Sequence, residues 1–272
     1  MRSPAVAGQF YEGDAEALRR QVEGCYTHRL GPKQLPSLAR DGPRKIRGLV
    51  VPHAGYLYSG PVAAHAYAAL AADGMPKHIV IFGPNHTGLG AAMALGTEDW
   101  STPLGTVRCD AELAGRILGD TVEADMTAHR FEHSIEVQLP FLQHLGGDFR
   151  FVPICMGLQD LASATDVGQR VAAAIRGLDV VVIASTDFSH YIPKDVAARK
   201  DRKAIDKILA FDVKGFDETV RRNDISMCGY GPVMAMLTAI ESGAPEFLKY
   251  ASSGDVAPMA DVVGYCSITI RR

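Results

Sequence analysis

Three histidines share one local setting. His53 closes the stretch IRGLVVPHAGYLYSG (46–60), His86 closes KHIVIFGPNHTG (77–88) and His190 closes DVVVIASTDFSHY (179–191). Each follows a continuously apolar, largely β-branched run that ends where turn-forming residues take over, the pattern of a buried strand. A fourth residue joins them: Cys228, in the glycine-flanked turn SMCGYGP just before a predicted helix. A thiol at a helix N-terminus is expected to ionise readily against the positive end of the dipole. Two imidazoles and one anionic ligand, with positions left open, make a recurring catalytic metal site. The bland alternative is that each strand-end histidine holds a backbone carbonyl and that the cysteine is a core thiol.

The remaining histidines and cysteines carry less. In HRFEHSIEVQ (129–138), His129 and His133 are spaced i, i+4, as are Glu132 and Glu136. That spacing places each pair on one face if the stretch is helical, and the expectation is a charged helix face. The zinc motif HExxH is absent, since Arg130 follows His129. His65 lies within an alanine-rich helix and His78 starts a strand; His28 and His144 read as surface positions. Cys25, Cys109, Cys155 and Cys266 sit in apolar surroundings and are expected to be core thiols.

The elements that position these residues alternate. Strands are predicted at KIRGLVVP, KHIVIFGP, FRFVPICMG, DVVVIAST and ADVVGYCSITIRR. Helices are predicted at GPVAAHAYAALAADG, DAELAGRILGD, EHSIEVQLPFLQHLGG (interrupted by Pro140), DVGQRVAAAIRG, RKDRKAIDKILAF, VKGFDETVRRND and GPVMAMLTAIESG. Continuously apolar strands alternating with helices predict an α/β fold with a mostly parallel, mixed central sheet and helices on both faces, a three-layer sandwich. Ligands in such sheets bind beyond the carboxyl ends of the strands, where His53, His86 and His190 would converge. The Pro- and basic-rich stretch 30–48 is expected to wrap one domain spanning 1–272, because too little chain precedes it to form a second core.

The bulk properties exclude several classes. A chain 47% apolar and 22% charged is globular rather than disordered. Its formal charge of −3, without a basic stripe, argues against nucleic-acid binding. No run approaches the roughly 18 apolar residues of a membrane span, and no signal-peptide core opens the chain. Five scattered cysteines without a CxxC pair predict no disulfide framework and a cytoplasmic home. The glycine-containing GYLYSGP and GPNHTGLG match neither the dinucleotide fingerprint nor the P-loop.

With RSPAVAGQFY, VPHAGYLYSG, GPNH, WSTPLG, EHSIEVQLPFL, STDFSHY and CGYGP in this order, the sequence resembles the Memo family, also called AmmeMemoRadiSam system protein B. Glu12 departs from the family's expected proline after GQFY, away from the proposed site. The resemblance implies a fold like that of the class III extradiol (LigB-type) dioxygenases, whose Fe(II) is held by two histidines and a glutamate. By position it implies His53 and His86 as metal ligands, with Cys228 in the glutamate's place. His190 would be an acid/base histidine assisted by Asp187, and His133, Glu136 and Tyr56 would line the substrate pocket. The thiolate is softer than a carboxylate, so Fe(II) is the first expectation and copper(I) or zinc the alternatives.

Four functions follow from that implied site. One is a metal-dependent oxidoreductase of unknown substrate, and another a copper or iron carrier or redox-protective protein. A third is a peptide-binding adaptor without catalysis, and the fourth a metal-dependent hydrolase. A small molecule or peptide is the expected ligand. The family's name implies a radical-SAM protein and its associated partner as possible companions.

Overall fold

A computed structural model describes residues 1–272. Its strands are β1 (Ile46–Val51), β2 (His78–Pro84), β3 (Met93–Leu95), β4 (Trp100–Thr102), β5 (Gly105–Val107), β6 (Glu123–Ala124), β7 (Arg150–Met156), β8 (Val180–Ser185), β9 (His190–Pro193), β10 (Ala244–Ser252) and β11 (Asp261–Arg271). Its helices are α1 (Ala15–Thr27), α2 (Gly60–Asp73), α3 (Ala111–Ile117), α4 (Leu139–Leu145), α5 (Leu161–Ala174), α6 (Lys194–Leu209), α7 (Val213–Arg222), α8 (Tyr230–Ile240) and the single turn α9 (Ser253–Val256).

The main sheet runs β10-β11-β1-β8-β2-β7-β3-β6, with β9 paired to β11 and β4-β5 forming a separate hairpin. The centre, β1-β8-β2-β7, is parallel. Antiparallel pairs close both sides, β11 on β1 and β3 on β7. Alternate residues of the central strands enter two different cores, as a sheet covered on both faces requires. Val50, Val80, Val152 and Val182 pack with α3, α5, α6, α7 and α8. Leu49, Val51, Ile79, Ile81, Val181 and Ile183 pack with α1, α2 and α4. The predicted α/β sandwich is the observed one, and the five anticipated strands are β1, β2, β7, β8 and β11.

Two local expectations are corrected. Residues 129–135 are not helical; a 3-10 turn (Glu136–Gln138) leads into α4, which starts only at Leu139. Pro140 lies in the first turn of α4, where its missing N–H has no intrahelical partner to lose, so it begins the helix rather than interrupting it. Strand β10 was not anticipated. Of the stretch 30–48, residues 46–48 belong to β1; before them Ala39 N–H donates to the Ala71 carbonyl and Arg44 N–H to that of Asp73, at the end of α2. No helix is long and apolar enough to cross a membrane.

The order of the central strands sets up the site. β8 lies between β1 and β2, so the chain leaves all three at one rim. His53 follows β1, His86 follows β2, and Thr186 and Asp187 follow β8.

Candidate metal centre

His53 is buried and its ring is fixed from behind. Its Nδ1 lies 2.9 Å from Ser185 Oγ. The one proton of that hydroxyl goes to the Ser134 carbonyl at 2.6 Å, while Gln138 Nε2 donates to Oγ at 2.8 Å. Ser185 can therefore only accept from His53, which places the imidazole proton on Nδ1 and leaves Nε2 with a bare lone pair. Cys228 Sγ lies 3.2 Å from that Nε2.

His86 is oriented the same way by a carboxylate. Its Nδ1 donates to Glu132 Oε1 at 2.9 Å and its main-chain N–H to Glu132 Oε2 at 2.6 Å. Glu132 also accepts from the main-chain N–H groups of His133 (2.9 Å) and Ser134 (2.8 Å). Burial opposes its charge, but these bonds and the nearby imidazoles outweigh burial and hold its pKa down at about 2. His86 Nε2 is thus the free nitrogen, an arrangement in which a carboxylate orients a metal-binding histidine. Gly83 permits the loop to lie this close, since a Cβ there would meet Ser134 Oγ at 2.5 Å and Ile135 Cγ1 at 2.7 Å.

The ligand atoms of His53, His86 and Cys228 lie within 4.8 Å of one another. Metal–nitrogen and metal–sulfur bonds of about 2.0–2.3 Å can span such a set. His86, Glu132 and His133 form a second group of that kind. There Glu132 already accepts four hydrogen bonds, so it serves better as the support of His86 than as a ligand.

Burial keeps His53 in the neutral form that a metal ligand needs. Burial drives the His53 pKa well down, with His133, His86 and His190 adding to the effect, so its lone pair stays available. Burial holds the His133 pKa near 4. Cys228 departs from the sequence expectation: burial, then the charge of Asp187, raises its thiol pKa instead of lowering it. A bound cation would reverse that balance, because metal binding and thiol deprotonation are linked. The residues fit a metal with two nitrogen ligands and one sulfur ligand.

A cavity of about 320 Å³ opens over the cluster, lined by His53, His86, His133, Asp187, His190, Phe10, Tyr191 and Val263, with Ala54 and Gly55. His133 stacks on His86 with ring centroids 4.6 Å apart and packs against Phe10 at 4.7 Å. His190 also lines the cavity, but its Nδ1 donates to the Ser226 carbonyl at 2.7 Å. Asp187 does not hydrogen-bond to His190; its Oδ1 accepts the main-chain N–H of His53 at 2.8 Å, and burial raises its pKa.

A match to the family described as Memo-like protein covers residues 2–269. The chain belongs to the Memo family. It is 53% identical to a MEMO1 family protein of Methanopyrus kandleri over 100% of this chain and 99% of that one. A relative from Methanothermobacter thermautotrophicus is 49% identical over 99% of this chain and 100% of its own. One from Sulfolobus acidocaldarius is 45% identical over 98% of each.

Two residues expected in the pocket of this Memo protein lie behind it. Tyr56 is buried, with its hydroxyl donating to the Val137 carbonyl at 2.6 Å. Glu136 is wholly buried and paired with Arg2 at 2.5 Å, and it also accepts from Ala5 N, Val6 N and the Tyr11 hydroxyl. Neither lines the cavity. Conversely, sequence reasoning missed Ser185 and Glu132. Ser185 looked like the end of an apolar strand, and the i, i+4 spacing assigned Glu132 to a solvated helix face. Cys25, Cys109, Cys155 and Cys266 are all buried and unpaired.

Proposed function

We propose that this protein is a metal-dependent oxidoreductase, similar to the non-haem iron dioxygenases in the placement of its centre, with His53, His86 and Cys228 as ligands. The observation that carries the reading is the pair of imidazoles whose tautomers leave Nε2 bare beside one half-buried thiol, under a cavity with room for a small substrate. Two nitrogens and a thiolate suit Fe(II), copper(I) or zinc, of which Fe(II) is the first choice for redox work. When bound, Fe(II) would supply a Lewis-acidic, redox-active centre with open positions.

The protein's own residues then have separable tasks. Ser185 and Glu132 hold the two ligand rings. Asp187 fixes the main chain at His53. His190, with its Nδ1 proton on Ser226, has Nε2 left to accept a proton from a ligand in the cavity. Phe10, His133 and Tyr191 offer flat aromatic walls, and no Lys or Arg lines the space. That lining suits an uncharged small molecule better than a phosphorylated peptide.

A second reading, a copper or iron carrier, draws support from the missing Asp187–His190 contact: a carrier needs the ligands but no acid/base pair. Anaerobic expression followed by mass-spectrometric metal analysis tests the centre, and oxygen consumption then separates the two readings. Near-stoichiometric iron, abolished by Cys228→Ser and by His86→Ala, supports the ligand set, and oxygen consumption lost in His190→Ala supports the oxidoreductase over an iron carrier. Copper in its place moves the carrier forward. No bound metal, and none taken up on titration, overturns the centre.

A further inference from the structure

Arg2 is 5% exposed and makes three directed bonds into the loop that carries Glu132 and His133. Its Nε donates to the His129 carbonyl at 2.8 Å, its Nη2 to the Glu132 carbonyl at 2.6 Å and its Nη1 to Glu136 Oε2 at 2.5 Å. The guanidinium lies 4.1 Å over the buried Trp100 ring. Its own main chain is pinned on both sides, the N–H to the Asp99 carbonyl and the carbonyl to Ser101 N–H. A planar fork of donors can hold two carbonyls and a carboxylate in fixed relation, which a lysine cannot.

The same segment also reaches the cavity. Glu136 accepts from Ala5 N, Val6 N and Tyr11 Oη. A few residues on, the Phe10 carbonyl accepts Tyr56 N–H at 2.8 Å, tying the segment to the turn after His53. The Phe10 ring packs on His133. Residues 2–11 therefore bridge the loop that orients His86 and the turn that follows His53.

We propose that residues 2–11 form a strap that positions the metal centre, with Arg2 as its anchoring residue. Glu132 is held at both ends: Arg2 fixes its carbonyl and His86 engages its carboxylate. The strap thereby sets where His86 Nε2 stands without touching a ligand itself. This inference rests on the metal reading for its affinity readout, but its effect on the loop can be measured without metal.

The test uses the full chain and Co(II) as the probe. Co(II) affinity, the sulfur-to-cobalt absorption band, the melting temperature and amide exchange at His133 and Ser134 are compared in wild type, Arg2→Met and Arg2→Lys. Arg2→Met is expected to weaken Co(II) binding at least tenfold and to speed exchange at both amides. Arg2→Lys is expected to recover the melting temperature, because it still neutralises Glu136, but neither the affinity nor the exchange protection. Wild-type affinity and exchange in Arg2→Met would overturn the strap. So would full recovery of affinity and exchange in Arg2→Lys, since charge neutralisation alone would then suffice. If Arg2→Met does not fold, Arg2→Lys decides by the same criterion. Absence of a Cys228-dependent band in wild type would sink the metal reading, and the exchange data would then decide the strap alone.

Discussion

Asp187 gives its main-chain N–H to Cys228 Sγ at 3.3 Å, and its carboxylate takes the main-chain N–H of His53. One residue at the end of β8 thus fixes a candidate ligand on either side of it. The N–H···S bond favours the thiolate, so the sulfur is prepared for a cation even though burial alone keeps it protonated.

The cysteine turn tolerates no side chain at the next position. A Cβ on Gly229 would meet the Ser185 carbonyl oxygen at 2.6 Å and Thr186 Cβ at 2.7 Å. Gly229→Ala must therefore push the turn away from β8, carrying Cys228 with it. Metal affinity is expected to fall at least tenfold while the far-ultraviolet circular dichroism stays that of the wild type. Unchanged binding would show that Cys228 has slack or is no ligand.

Ser185→Ala removes the acceptor that fixes the His53 tautomer and unpairs the Ser134 carbonyl. Loss of such an outer partner typically costs about 10–100-fold in metal affinity. Leaving a buried acceptor unmade costs about 1–3 kcal/mol. Isothermal titration and chemical denaturation read the two effects separately. A stability loss with full affinity would place the serine in the core alone.

His129 gives the chain a pH dependence away from the candidate ligands. Its Nε2 donates to the Ala94 carbonyl at 3.0 Å, its Nδ1 is buried without a partner, and burial pushes its pKa down to about 4. The folded value lies below the ordinary value of about 6.5, so the unfolded chain binds the proton more readily between those two pH values. Stability is full above about pH 6.5 and is withdrawn as pH falls toward 4. At about 1.4 kcal/mol per unit, this group accounts for roughly 3 kcal/mol. Denaturation curves of His129→Gln should be flatter by that amount across the window. Parallel curves would mean that His129 does not titrate there.

Tyr191 stands at the cavity with 78% of its surface exposed and a φ of 55°, a left-handed conformation that bulky side chains avoid. Tyr191→Gly relieves that conformation at some cost in unfolded-chain entropy, for a net gain of up to about 1 kcal/mol. Tyr191→Ala keeps the strain and should not stabilise. A rise in melting temperature for the glycine variant alone would identify a strained aromatic kept for the cavity rather than for the fold.

The sequence showed the central sheet clearly because β1, β2, β7 and β8 are mostly buried on both faces and read as predominantly apolar runs. It showed where His53 and His86 stand because each directly follows such a run. The roles of Ser185 and Glu132 were hidden, since each depends on which proton a partner distant in sequence can give. Glu132 was further disguised by helical spacing in a segment whose main chain is held instead by Arg2 and by the carboxylate itself. β10 escaped notice because an edge strand with exposed Glu246 and Phe247 has no unbroken apolar run.

The three candidate ligands lie far apart along the chain, with His53 and His86 in its first third and Cys228 near its end. During synthesis the two imidazoles leave the ribosome long before the sulfur does. A nascent chain can therefore offer a passing ion only a partial, weak site. Under the proposed metal reading, tight capture would wait until the turn before α8 has emerged and docked against β8, so the order of the fold would set when an ion could be loaded.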